Sequence, residues 1–250
     1  MTYPDILDSS HVAVFLDFDG TLVEIAERPD AVELLGTTRD TLECLNDITT
    51  GAVAIVTGRE IDFVDTMLSP LTLPVAGVHG LMRRNAQGQV LTMPENSAFI
   101  AEASKQLVEL TRMEPGLLLE RKGVSLALHY RGRPELETSC IETMGALVDR
   151  YPDIELKRGK MVLEAKPAGT NKGTAVVDFM SEAPFRGRVP VFAGDDVTDE
   201  DAFERVNAMG GLTIKVGDGD TAAKTRVEST AAFLTWLEKS AQSLSGETHT

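Results

Sequence analysis

The run Val12-Ala-Val-Phe-Leu-Asp-Phe-Asp-Gly-Thr21 constrains this chain more than any other segment. It opens on five consecutive apolar residues, the pattern of a strand buried on both faces of a parallel sheet. It then meets two aspartates, Asp17 and Asp19, followed by Gly20 and Thr21. Carboxylates at the end of a buried strand are costly unless something pairs with them. A hard cation held by oxygens is the natural partner. Open α/β sheets also place their sites at the carboxyl ends of their strands. The reading is a Mg²⁺-dependent site at the tip of the first strand.

The segments that follow extend the pattern. Strand Val12–Phe18, a helix from Thr37 to Leu45, strand Ala52–Val56, helix Glu60–Leu68 and strand Pro74–Val78 alternate. Such alternation predicts βαβ units and a doubly wound parallel sheet. The middle of the chain differs. Met82–Met93 reads as a hairpin, followed by helix Ser97–Arg112 and adjacent strands Leu117–Arg121 and Ser125–Tyr130. Helix Glu135–Arg150 and a hairpin of Ile154–Lys157 with Met161–Glu164 complete an α+β pattern. The parallel pattern returns with helix Lys172–Met180, strand Val189–Ala193, helix Asp199–Val206, strand Leu212–Val216 and helix Ala231–Leu244. The tail Ser245–Thr250 is expected to fray. The expected organisation is an α/β core of residues 1–83 and 168–250, interrupted by an inserted domain over 84–167.

Charge bounds the partners. The 250 residues hold 24 basic and 39 acidic side chains, a formal net charge of −15. That balance disfavours nucleic acid and acidic membranes, both of which need a basic surface. It leaves room for an anionic small molecule, because a metal and a few cations make a pocket locally positive. Two cysteines, Cys44 and Cys140, give no disulfide framework, and the four histidines lack zinc-ligand spacing. No apolar run reaches the roughly 18 residues of a membrane span, and the N-terminus lacks the pattern of a signal peptide. A cytoplasmic monomer is expected.

Four clusters fall just after strands or at a helix start: Asp17-x-Asp19-Gly20-Thr21, Thr57-Gly58-Arg59, Lys172 and Gly194-Asp195-Asp196. Acid, hydroxyl, base and acid form the inventory for metal-assisted phosphoryl transfer, where catalysis is mostly positioning and charge neutralisation. Asp17 suits a covalent nucleophile. Asp19, brought round by a bend at Gly20, suits the proton donor to the leaving oxygen and later the base for water. Asp195 completes a metal site from a neighbouring strand. Thr57 with nearby backbone N–H groups suits phosphate oxygens, and the Lys172 ammonium offsets the charge on Asp17 and phosphate together. Arg59 is open between a phosphate contact and an acid partner. His79 is open between capping a strand and lining the pocket.

These motifs, in this order, resemble the haloacid-dehalogenase superfamily, and within it the trehalose-6-phosphate phosphatases. The closer likeness rests on Gly77-Val-His-Gly80, Glu120-Arg-Lys122, His129-Tyr-Arg131, Gly159-Lys-Met-Val-Leu-Glu164, Lys166-Pro-Ala-Gly-Thr-Asn-Lys-Gly173 and Gly194-Asp-Asp-Val-Thr-Asp-Glu200. The resemblance implies a Rossmann-like core with a cap domain and a sugar-phosphate substrate. It implies Asp17 as nucleophile and metal ligand, Asp19 as acid/base and a ligand through its carbonyl, and Asp195 as metal ligand. Asp199 is implied as a support behind them. Glu120, Lys122 and Glu164 match positions that hydrogen-bond the distal glucose. Another sugar phosphate, such as sucrose 6-phosphate, and a catalytically silent binding module are the alternatives.

Overall fold

The computed structural model describes residues 1–25, 32–92, 96–122, 124–159 and 161–246, with the Lys122 side chain outside the described part. The chain divides into two compact units, one of residues 1–91 and 171–250, the other of 92–170. In the first unit the N-terminal segment forms β1 (Val12–Leu16), α1 (Gly36–Ile48), β2 (Val53–Val56), α2 (Ile61–Leu68), β3 (Val75–Gly77), β4 (Met82–Arg84) and β5 (Val90–Thr92). The second unit holds α3 (Ser97–Met113), β6 (Leu118–Lys122), β7 (Ser125–His129), α4 (Glu137–Val148), β8 (Ile154–Gly159) and β9 (Val162–Pro167). The chain then returns to the first unit with α5 (Lys172–Met180), β10 (Val189–Gly194), α6 (Glu200–Ala208), β11 (Leu212–Val216), β12 (Thr225–Val227) and α7 (Thr230–Ser245).

The first unit is an eight-stranded sheet in the order β12-β11-β10-β1-β2-β3-β4-β5. The six strands from β12 to β3 run parallel, and β4 lies antiparallel on β3. Because β1 is buried on both faces, alternate residues feed separate cores. Val12, Val14 and Leu16 join Leu42 and Leu45 of α1, Val64 of α2 and Trp236 of α7. Ala13 and Phe15 join Phe179 of α5 and Phe203 of α6 on the other face. This is the doubly wound architecture expected from the continuous apolar runs.

Three expectations need revision. Strand β1 stops at Leu16 rather than Phe18, because the Phe18 carbonyl accepts from Leu22 and Val23 N–H and folds Asp17–Val23 into a tight turn. The Met82–Thr92 hairpin extends the core sheet at the open edge of β3, so the second unit begins at Thr92 and not at residue 84. Strand β12, three residues long, was not anticipated, since so short a run carries no alternation. The tail residues 247–250 lie outside the described part.

The second unit is a four-stranded antiparallel sheet in the order β6-β7-β9-β8. Its helices α3 and α4 cover one face through Phe99, Leu107, Met144 and Leu147, packed against Leu126, Leu128 and Leu163. Among the described residues no helix is long and apolar enough to cross a membrane.

Candidate active site

Strands β1, β2 and β10 are neighbours in the sheet, so the residues just beyond their carboxyl ends converge. Asp17 follows β1 and donates its backbone N–H to the Ala193 carbonyl of β10 at 3.0 Å. Asp195 follows β10, and Thr57 follows β2. Lys172 opens α5, whose N-terminus is fixed by a reciprocal capping box between Asn171 and Thr174. A cation at a helix start opposes the helix dipole, so its presence there needs carboxylates. Two supply them: Lys172 Nζ donates to Asp17 Oδ1 and to Asp199 Oδ1, both at 2.7 Å. All three side chains are buried, with Asp199 fully so.

One carboxylate oxygen from each of Asp17, Asp195 and Asp199 lies within 4.8 Å of the others. The two oxygens of Asp199 are both engaged, Oδ1 by Lys172 and Oδ2 by the Asp196 N–H at 2.9 Å. The Asp195 carboxylate differs: its Oδ1 is buried and has no hydrogen-bond partner among the described residues. Its seat depends on two neighbours. Gly20, at φ +78°, leaves the space, since a Cβ there would lie 2.1 Å from Asp195 Oδ2. Lys215, buried in β11, donates its ammonium to the Asp195 carbonyl from behind.

The electrostatics follow from this crowding. Burial raises the Asp17 carboxyl well above the usual carboxylate range, and the Asp199 charge adds to it, so that Lys172 only partly offsets both. Burial likewise raises Asp195, with Asp199 contributing. Burial alone would lower the Lys172 ammonium, but attraction to Asp17 and Asp199 wins and its pKa rises. Three carboxylates thus share one directly paired ammonium. This excess of buried negative charge, with an unpartnered oxygen on Asp195, fits a hard divalent cation.

A cavity of about 520 Å³ opens above the cluster. It is lined by Asp17, Asp19, Thr57, Gly58, Arg59, His79, Lys172 and Asp195 among the anticipated site residues, together with Ile25, Asp196 and Thr198. Asp19 is held by Arg59 through two hydrogen bonds, Nε to Oδ2 at 2.7 Å and Nη2 to Oδ1 at 2.6 Å. The open question about Arg59 is therefore answered by an acid partner inside the pocket. His79 reaches the wall because the chain turns through two left-handed residues, Val78 (φ 49°) and His79 (φ 54°). A β-branched residue in that region is strained, a feature that concentrates at functional sites. Gly20 and Thr21 do not line the cavity; Gly20 lies beneath Asp195, and Thr21 is fully buried. Lys215 was missed by motif reading. A lysine inside the apolar strand Leu212-Thr-Ile-Lys-Val216 is the signal that identifies it.

In the second unit, Glu120 on β6 and Glu164 on β9 face the same side of the sheet, each opposite Ala127 of β7. Lys122 ends β6, with its side chain outside the described part.

A family model for trehalose-phosphatase matches residues 15–233. The chain belongs to the trehalose-phosphatase family. The match covers the whole second unit and most of each segment of the first, so the haloacid-dehalogenase-like core and its insert are family features. Trehalose-6-phosphate phosphatase of Escherichia coli K12 is 40% identical over 230 residues, covering 92% of this chain and 86% of that protein. A probable trehalose-phosphate phosphatase of Sinorhizobium fredii is 42% identical over 211 residues, covering 84% and 79%. Among solved structures, Aspergillus fumigatus trehalose-6-phosphate phosphatase superimposes with a TM-score of 0.74 at 26% identity, over 92% of each chain.

Proposed function

We propose that this family member is a Mg²⁺-dependent phosphatase that hydrolyses trehalose 6-phosphate to trehalose and inorganic phosphate through a phosphoaspartate on Asp17. The buried Asp17–Lys172–Asp199 contact carries the reading, because it fixes one oxygen of a carboxylate that lines the cavity. The substrate is supported by the family and by the relatives named above. Asp17, Asp195 and the Asp19 carbonyl would hold Mg²⁺, which when bound neutralises charge on the phosphate oxygens.

In the first step an Asp17 oxygen attacks phosphorus while the bond from phosphorus to the sugar oxygen breaks. Asp19 gives its proton to that leaving oxygen, and trehalose departs. In the second step water attacks phosphorus and loses a proton to Asp19. The bond to Asp17 breaks, phosphate leaves and both carboxyls return to their starting forms. Lys172 keeps Asp17 aimed and shares the charge of the phosphate. The Thr57 hydroxyl holds a phosphate oxygen. An incoming phosphate competes with Asp19 for Arg59, which frees the acid to approach the leaving oxygen.

A sugar-phosphate panel tests this reading. Phosphate release from trehalose 6-phosphate, sucrose 6-phosphate, glucose 6-phosphate and an aryl phosphate is compared with Mg²⁺ and with EDTA. Trehalose 6-phosphate is expected to give the highest kcat/KM, and EDTA to stop release. A different preferred sugar phosphate moves the substrate, and tight binding without release makes the protein a binding module. A second prediction concerns the seat of Asp195. Gly20→Ala forces a methyl group into the carboxylate, and a displacement of this size costs on the order of 10²-fold in kcat/KM. Steady-state kinetics at saturating Mg²⁺ check it; wild-type rates would show that Asp195 need not sit there.

A further inference from the structure

Strand β7 is the centre of an arrangement that the chemistry above leaves unused. Its alternation sends Leu126 and Leu128 into the core beneath α3 and α4. Ser125, Ala127 and His129 therefore face the opposite side of the sheet. Register places Ala127 beside Glu120 on one neighbour and Glu164 on the other. The two carboxylates thus flank a residue with almost no bulk. Each is held by β7. Ser125 Oγ donates to Glu164 Oε1 at 2.8 Å, and His129 Nε2 lies 2.8 Å from Glu120 Oε2. A carboxylate only accepts, so His129 carries its hydrogen on Nε2.

This is more order than an exposed pair needs. Glu120 is 44% exposed and His129 32%, a setting in which an ion pair adds little stability and a long side chain gains entropy by moving. Two separate donors nonetheless restrain both glutamates, on the face opposite the helices and on either side of the buried Ala127. Carboxylates fixed in advance on either side of one residue are suited to accept from hydroxyl groups.

We propose that Ser125 and His129 are positioning residues that set Glu164 and Glu120 for the hydroxyls of the sugar ring that carries no phosphate. The inference rests on the trehalose 6-phosphate reading. The experiment compares kcat/KM for trehalose 6-phosphate with kcat/KM for an aryl phosphate in wild type, Ser125→Ala, His129→Ala and His129→Gln. Losing a hydrogen bond to a charged group is expected to lower the ratio between the two substrates about tenfold in each alanine variant. The loss is carried by KM for the sugar phosphate, and His129→Gln, which keeps a donor, recovers part of it. Thermal melting identifies any variant that has lost its fold, and for such a variant Ser125→Gly and His129→Leu, which also lack the donor, carry the comparison. A wild-type ratio in the folded variants that lack the donor, or equal losses on both substrates, overturns the inference. A wild-type enzyme with no preference for trehalose 6-phosphate overturns the reading beneath it as well.

Discussion

Asp17→Asn is expected to lower kcat on trehalose 6-phosphate by on the order of 10⁴ or more, because the amide cannot accept phosphorus. The same change should leave the fold intact. The Asp17 carboxyl is pushed well up by burial and by Asp199, more than Lys172 pulls it down. A group in that condition is one whose charge the folded state resists. Its neutral isostere relieves the resistance, and Lys172 keeps Asp199 as its partner. Metal-free Asp17→Asn should therefore melt at or above the wild-type temperature. Phosphate release and a thermal scan in EDTA test both halves. Activity near wild type would remove Asp17 from the chemistry, and a large fall in melting temperature would show that Asp17 supports the fold.

Lys172→Met is the opposite experiment on the same contact. Activity is again expected to vanish, but here the fold suffers. The ammonium is buried and bonds two carboxylates, Asp17 and Asp199, that themselves see almost no water. Removing one member of a buried ion pair costs about 3–5 kcal/mol, since the remaining charge is left without a partner. In a chain of this size that corresponds to a melting temperature lower by on the order of 10 °C. Differential scanning calorimetry of both variants, in EDTA, gives the contrast. Two variants equally inactive but shifted in opposite directions would separate the catalytic role of the cluster from its structural role. Equal stability would mean that the carboxylates find another partner when Lys172 is gone.

Much of this site was legible because its residues violate local preference. Two acids after an apolar strand, and a lysine opening a helix, make sense only if something distant pairs with them. Sequence could name such residues and pair Lys172 with Asp17, as the structure does, but it left other partners open. That Arg59 grips Asp19, and that Lys215 reaches the Asp195 carbonyl, are properties of neighbouring strands whose order no local pattern states. The hairpin at Met82–Thr92 was assigned to the insert because antiparallel pairing looks the same wherever it occurs. Only the bare edge of β3 places it in the core sheet. Glu120 and Glu164, proposed to read the sugar, were legible in the sequence, whereas the hold of β7 on them depends on register.

The pairing of β1 with β10 has a consequence for how the molecule is made. Val12 must find Val189, so during synthesis one edge of the central strand waits bare until that late segment leaves the ribosome. Residues 92–170, contiguous along the chain, can close upon themselves in the interval. A long-separated partner slows assembly, and an unsatisfied apolar edge invites misassociation while it waits. Asp17 and Asp19 emerge early, Lys172 and Asp195 late. No nascent fragment therefore holds a complete pocket, and phosphatase chemistry begins only when the final third of the polypeptide has joined the first.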